Sequence, residues 1–343
     1  LKLENKTSEF RMNQTIAVVL LNWNGLNLLK EFLPDVVKYS NDATIYVADN
    51  ASTDSSVSYV EANFPEVKII QNKVNGGYAK GYNDALEGLT EDIFILLNSD
   101  VKVTPNWLSP IKGIFEKDNK VAAVQPKILD YKKPTHFEYA GAAGGFIDKF
   151  GYPYCRGRIF DNLEEDLGQY DDEVEIFWAS GACLAIKRDR YYEVGKLDED
   201  YFSHQEEIDI CWRLYNYGYK VIYTPNSVVY HVGGATLNSM NPKKTFFNFR
   251  NSLFNLVKNV PANKLFWTLL LRMKLDGIAA IKFLVEMKFG HFTAVFQAHI
   301  SFYKSLNKML KKRKKLPKKE DYYSKISVVC RNYGLGQKKF PDL

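Results

Sequence analysis

The stretch Glu91-Asp-Ile-Phe-Ile-Leu-Leu-Asn-Ser-Asp100 decides how this chain is read. Five apolar residues, Ile93 to Leu97, run unbroken and stop at Asn98-Ser99-Asp100. A short continuous apolar run is the pattern of a strand buried on both faces. Its end delivers an amide and a carboxylate together. In open α/β sheets ligands sit outside that edge. A carboxylate there suits a hard divalent cation, and the cation suits a diphosphate.

The segments upstream repeat the pattern. Thr15 to Leu21 is a β-branched apolar run broken by Asn22-Trp-Asn-Gly25, with a helix expected from Leu26 to Tyr39. Thr44 to Ala48 is a second strand ending at Asp49-Asn50. Ser52, Thr53 and Asp54 supply cap chemistry for a helix to about Asn63. Val67 to Gln71 is a third strand; Asn75-Gly76-Gly77 is a turn before a helix around Lys80 to Leu89. Strands alternating with helices predict an α/β fold with a mostly parallel central sheet. The turn after the first strand has one glycine, so neither the dinucleotide fingerprint nor a Walker loop is present.

Downstream, Val121 to Lys127 and Phe177 to Ile186 read as strands. Between them, Tyr139 to Phe146 is glycine-rich, either a mobile loop beside a ligand or a tight turn. Arg156 and Arg158 place two guanidinium groups together, either a phosphate fork or surface ion pairs. Ser203 and Glu206 fit a capping box for a helix running to Tyr217 and stopping at Gly218. Adjacent helical residues point about 100° apart. Glu206 therefore shares a face with Asp209 and Arg213, and capping is its expected task. Glu207 shares the inward apolar face with Ile210, Cys211 and Leu214. There it is either a general base or a partner of the helix dipole. His231 precedes a glycine pair and is either structural or a metal ligand.

After Pro242 the pattern becomes long, helical and rich in Leu, Phe and Met. It is followed by nine Lys/Arg and no acid between Lys304 and Lys319, which more than accounts for the net charge of +6. The basic balance is thus a local patch and predicts no general nucleic-acid surface. Apolar helical faces beside a basic run predict a membrane-surface element; the alternative is a helical appendage with a solvated tail. No apolar run reaches the ~20 residues of a membrane span. Cys155, Cys183, Cys211 and Cys330 form no CxxC pair, so a reducing cytoplasm is expected. Residues 1–14 are polar, unlike a signal peptide, and read as an extension, with Met12 a natural start.

Seven motifs in order, over roughly residues 14 to 240, resemble glycosyltransferase family 2, specifically its rhamnosyltransferase-like subgroup. They are Val18 to Gly25, Val47 to Asp54, Asn75 to Asn83, Leu96 to Asp100, Trp178 to Ala182, Glu206 to Arg213 and His231 to Gly234; Phe249-Arg-Asn251 is similar to a helix start common in the subgroup. The resemblance implies a GT-A catalytic domain over 15–240; beyond it, the residue pattern itself reads as a helical region over 241–310, with membrane-surface binding as one reading, and a basic tail over 311–343. It implies Asp49, Asn22, Asn24, Asp54, Asn83 and Asn98 on the nucleotide-sugar donor. It implies Asp100 and His231 on Mg²⁺ or Mn²⁺, and Glu207 as catalytic base. Trp178, Gly181, Glu206, Arg156 and Arg158 are expected toward acceptor or phosphate. The implied activity is an inverting, metal-dependent hexosyl transfer from a nucleotide sugar, dTDP-rhamnose first and UDP-hexoses next. The expected acceptor is a cell-surface glycan precursor, free or lipid-linked, and the expected site of action is the cytoplasm at the inner face of the membrane. Asn98 stands where the family usually has an acid, and Glu207 where it usually has Asp. The first departure keeps open a catalytically silent sugar-nucleotide-binding or scaffold protein. A nucleotidyltransferase would want a glycine- and arginine-rich loop after the first strand, which is absent.

Overall fold

The run Ile93 to Leu97 is fully buried because its alternate side chains feed two cores. Phe94 and Leu96 join one, with Ala17 and Val19 of the neighbouring strand; Ile93, Ile95 and Leu97 join the other, with Ile16, Val18 and Leu20. A two-core strand of this kind belongs to a sheet with helices on both faces. The computed structural model describes residues 14–233 and 241–343, so the N-terminal extension before Gln14, with Met12, and Gly234 lie outside the described residues.

The first half alternates as its periodicity predicts: β1 (Ile16–Asn22), α1 (Leu26–Tyr39), β2 (Ala43–Asp49), α2 (Ser56–Asn63), β3 (Lys68–Gln71), α3 (Gly77–Leu86), β4 (Ile93–Asn98), β5 (Val101–Val103), α4 (Leu108–Lys117) and β6 (Val121–Asp130). A small sheet follows, from β7 (Gly145–Ile147), β8 (Pro153–Cys155), β9 (Arg158–Ile159) and β10 (Asn162–Leu163). The chain returns to the main sheet with β11 (Val174–Ile176) and β12 (Cys183–Lys187), then α5 (Arg188–Glu193), α6 (Glu206–Tyr217) and β13 (Lys220–His231). Three helices close it: α7 (Pro242–Asn259), α8 (Ala262–Val285) and α9 (Phe289–Arg313).

The main sheet has the order β11-β13-β6-β12-β4-β1-β2-β3, with β5 pairing off β13. β1 pairs in parallel with both β2 and β4, so strand order reverses between β1 and β4. The longest ladders are parallel; β12 is the antiparallel intruder between β4 and β6. Register aligns Asn22 with Asp49 and Leu21 with Asn98, so three polar strand ends lie at one edge.

Several local expectations are corrected. The run Phe177 to Ile186 is a strand only from Cys183, because the Ser180 hydroxyl accepts from Ala182 N and turns the chain first. The glycine-rich segment resolves as the turn leading into β7. No capping box starts α6: Gln205 holds the cap position in a left-handed conformation without a side-chain bond. Nor is the face bearing Asp209 and Arg213 an outer one. It packs against α7, where Lys258 Nζ reaches Asp209 at 2.7 Å and Asp198 at 2.6 Å.

Residues beyond α9 fold back on the small sheet. Phe340 stacks on Tyr154 at 6.0 Å, and Val328 N donates to Asp148 at 3.0 Å. The closing helices are therefore tied to the α/β part of the chain from both ends.

Candidate active site

Two polar turns clasp at the ends of β1 and β2. Asp49 is fully buried and accepts from Asn22 Nδ2 at 3.1 Å, Ser52 N at 2.9 Å and Gln71 Nε2 at 2.6 Å. Asn24 Oδ1 accepts from Thr53 N at 2.7 Å, and Asp54 accepts from Leu26 N at 3.1 Å. Burial opposes ionisation of Asp54, but hydrogen bonds from Ser56 and Leu26 outweigh it and hold the carboxyl below its ordinary value. Asn22 Oδ1 is buried with no partner in the protein, an acceptor left over for a donor group. A Cβ on Gly25 would meet that oxygen at 2.4 Å and Ser99 Oγ at 3.8 Å, so this clasp abuts the end of β4.

Past Asn98 the chain turns and β5 pairs antiparallel with the end of β13, setting His231 opposite Val101. That pairing brings His231 Nε2 within 3.2 Å of Asp100 Oδ1. The other ring nitrogen lies 3.2 Å from Glu138 Oε1, within ion-pair range though off the line of a hydrogen bond. All three side chains are buried. Burial alone would lower the imidazole pKa; the carboxylates of Glu138 and Asp100 reverse this and raise it to about 10. Gly233, at φ 68°, is needed here, since a Cβ would come within 2.9 Å of Glu138 Oε1.

The donor set fits a hard cation in part. Two ligand atoms 3.2 Å apart suit one small ion, and Glu138 on the far nitrogen would fix which nitrogen faces it. Among the described residues no group of three His, Cys, Asp or Glu converges on one point. A cation held by Asp100 and His231 would therefore take its remaining ligands from donor phosphate oxygens and water, as Mg²⁺ sites commonly do.

On the other side of β4, Asn98 N donates to Ala182 O at 3.0 Å. A Cβ on the adjoining Gly181 would lie 3.8 Å from Glu207 Cβ and 3.0 Å from the Tyr78 hydroxyl, which donates to Gly181 O at 2.7 Å. The start of α6 thus overhangs the edge that ends in Asp100. Glu207 is half-buried, and burial raises its pKa to about 7 against the pull of the helix N–H groups. Glu206 lies deeper, with Oε2 unpartnered; burial first, and Glu207 second, hold its pKa well above the ordinary value.

Four expected site residues are spent elsewhere. Asn83 is buried and saturated: its Nδ2 donates to Leu197 O and Glu199 Oε1, and its Oδ1 accepts from Tyr191 Oη and Leu197 N. Trp178 is packed over Gly145 with its indole N–H given to Phe146 O at 2.8 Å. Arg156 is paired with Asp172 through Nη2 and stacked on Tyr170, which leaves only its buried Nη1 without a partner in the protein. Arg158 points a different way, onto the Tyr139 ring at 4.6 Å, which Lys244 also approaches at 5.5 Å. Glu138 and Tyr78 were missed. Tyr78 sat inside the quoted Asn75–Asn83 motif, whereas nothing local marks Glu138.

A family model described as "Glycosyl transferase family 2" matches residues 17–192. The N-acetylglucosaminyl-diphospho-decaprenol L-rhamnosyltransferase of Mycobacterium tuberculosis is 25% identical over 239 residues, covering 64% of this chain and 76% of its own. Among solved structures, GalNAc-T7 with UDP, GalNAc and Mn²⁺ superposes with a TM-score of 0.56 at 17% identity, over 74% of this chain and 49% of that one. The mannosyltransferase PcManGT of Pyrobaculum calidifontis, with GDP-Man and Mn²⁺, gives 0.55 at 14% identity, over 86% and 88%. Identities this low bear on fold alone.

Proposed function

The chain belongs to glycosyltransferase family 2 and has a GT-A fold, and from that premise we propose an inverting hexosyltransferase that moves a sugar from a nucleotide sugar to a lipid-linked glycan precursor. One observation carries the reading. The Asp100–His231 pair and Glu207 flank the same strand end, joined through Asn98, Ala182 and Gly181. An acceptor hydroxyl is a poor nucleophile, and Glu207 takes its proton as it attacks the anomeric carbon. A raised carboxyl near neutrality is matched to that task. A bound Mg²⁺ or Mn²⁺ would stabilise the charge developing on the leaving diphosphate. Asp100 and His231 would hold that ion, Glu138 would orient His231, and the Asn22–Asp54 clasp with Asn98 would line the nucleotide side. With Glu207 as base and no enzyme-bound sugar, direct displacement at the anomeric carbon inverts that centre. Likeness to the mycobacterial L-rhamnosyltransferase favours rhamnose as the sugar; the subgroup resemblance suggests dTDP as its carrier, with UDP-hexoses next.

A membrane surface is the proposed place of work. Among the described residues no helix is long and apolar enough to cross a bilayer. Instead α8 exposes Trp267, Ile278 and Ile281, and α9 exposes Phe296, Ile300 and Tyr303, each more than half exposed. Where the end of α9 meets the start of α8, a groove of about 680 Å³ is lined by Lys311, Arg313, Lys314 and Lys318. An apolar face beside a cationic groove matches the interface of an anionic bilayer.

The test is a donor screen with and without Mn²⁺, scored by released nucleoside diphosphate. The expected result is turnover of one nucleotide sugar, lost in Glu207→Gln with donor binding kept. Donor binding without turnover in any acceptor mixture would favour the silent-binder alternative that Asn98 suggests. No binding and no turnover would sink both.

A further inference from the structure

The loop that delivers Glu207 is strained, and α7 holds it in that state. Phe202, His204 and Gln205 have φ values of 65°, 69° and 74°, three non-glycine residues in the left-handed region within four positions. Each costs on the order of 1 kcal/mol or more and persists only where surroundings compel it. The compulsion comes from side chains nearly fifty residues on. Asn251 is fully buried, and its Nδ2 donates to the carbonyls of Tyr201 at 3.1 Å, Ser203 at 2.9 Å and His204 at 2.7 Å. Arg250 Nε donates to Asn251 Oδ1 at 2.9 Å, which fixes the amide with its N–H groups toward the loop. The same guanidinium reaches Asp200 O at 3.1 Å and Tyr201 O at 2.9 Å. Below, the Phe202 ring stacks on Phe247 at 5.6 Å and 14°. On the far side Phe202 O accepts from Tyr78 N at 2.8 Å, and a Cβ on Gly77 would clash with that oxygen at 2.3 Å. The loop is pinned between α7 and the start of α3, whose Tyr78 also contacts Gly181 beneath Glu207.

Resting on the function proposed above, we infer that Arg250 and Asn251 are positioning residues: by gathering the carbonyls of Asp200, Tyr201, Ser203 and His204 they aim the Glu207 carboxylate at the acceptor hydroxyl. The helical extension is then part of the catalytic apparatus as well as an anchor. The pair itself touches no substrate.

The full chain is tested with Asn251→Asp, which keeps size and removes the donors, beside Asn251→Ala. Arg250→Gln, at a half-buried site, serves if either fails to fold. A displacement of about 1 Å at a reacting group costs about 100-fold in rate. The expected result is a kcat loss of that order with donor KM and donor affinity within twofold of the parent. Amide hydrogen exchange over residues 201–208 should quicken in the same variants, a readout independent of turnover. An unchanged kcat in a folded variant overturns the inference, as does a kcat loss matched by equal loss of donor affinity. Unaltered exchange overturns the clamp alone. A parent chain that turns over no nucleotide sugar removes the functional reading, and the catalytic half of this one with it, even if exchange quickens.

Discussion

Glu206 and Glu207 are neighbours in the chain with opposite consequences. As the proposed base, Glu207 beside Gly181 has to be ionised to accept a proton, so activity should rise with pH through about 7, the value to which burial lifts it. A kcat profile checks this, and Glu207→Gln should lose about 10²- to 10⁴-fold in kcat. Glu206 is a buried carboxyl with an unpartnered oxygen. Its folded-state pKa is raised, so it favours folding while protonated, and that contribution fades as pH climbs above the ordinary value of 4.5. Glu206→Gln should therefore raise the melting temperature by about 2–4 °C at pH 8 and by less at pH 5. Glu138 acts through His231. Glu138→Gln should weaken Mn²⁺ binding by about 10- to 100-fold, read by calorimetry with a nucleoside diphosphate present and no acceptor.

Elements, more than residues, decide what α6 can do. Its second face carries Asp209 and Arg213 into contact with α7, and Lys258 bridges Asp209 and Asp198. Lys312 of α9 adds a second cation to Asp198. Burial works against ionisation of Asp198, and the two ammonium groups overcome it, holding the carboxyl well below its usual range. That depressed pKa stabilises the fold above the ordinary carboxyl range and is lost as pH falls through it. Lys258→Met would leave two carboxylates buried with fewer partners and should cost about 3–5 kcal/mol in urea unfolding. A loss under 1 kcal/mol would mean that the network is not coupled to the fold as its distances indicate.

At the scale of the molecule, α8 and α9 are divided. Arg272, Asp276 and His299 face inward, with Arg272 Nε bonded to Asp276 at 2.7 Å and Tyr152 Oη reaching Asp276 at 3.2 Å. The opposite faces keep their apolar side chains in water. The proposed membrane surface predicts flotation with vesicles containing anionic lipid, weakened by 0.5 M salt. Ile278→Glu with Ile281→Glu should abolish flotation and leave turnover of a soluble acceptor analogue within twofold. Flotation equal to the parent in that double variant would show that the face is not the docking surface.

The sequence by itself determined the alternation of strands and helices to β4, the two-sided burial of Ile93–Leu97, and the set of residue types at strand ends, because apolar period and turn chemistry are local. It also carried Asp100, His231 and Glu207 as candidates within recognisable motifs. It did not tell that Asn83, Trp178, Arg156 and Arg158 make their bonds within the protein, since a polar or aromatic residue inside such a motif reads alike whether it faces a ligand or another side chain. Only the tertiary structure decided which carboxylates meet His231, and that Glu138 is one of them. Only it revealed that α7 dictates the left-handed loop before Glu207. Those outcomes depend on pairings between residues tens to more than a hundred positions apart. Their energies arise only when β5 meets β13 and α7 closes over α6, and no local pattern encodes them.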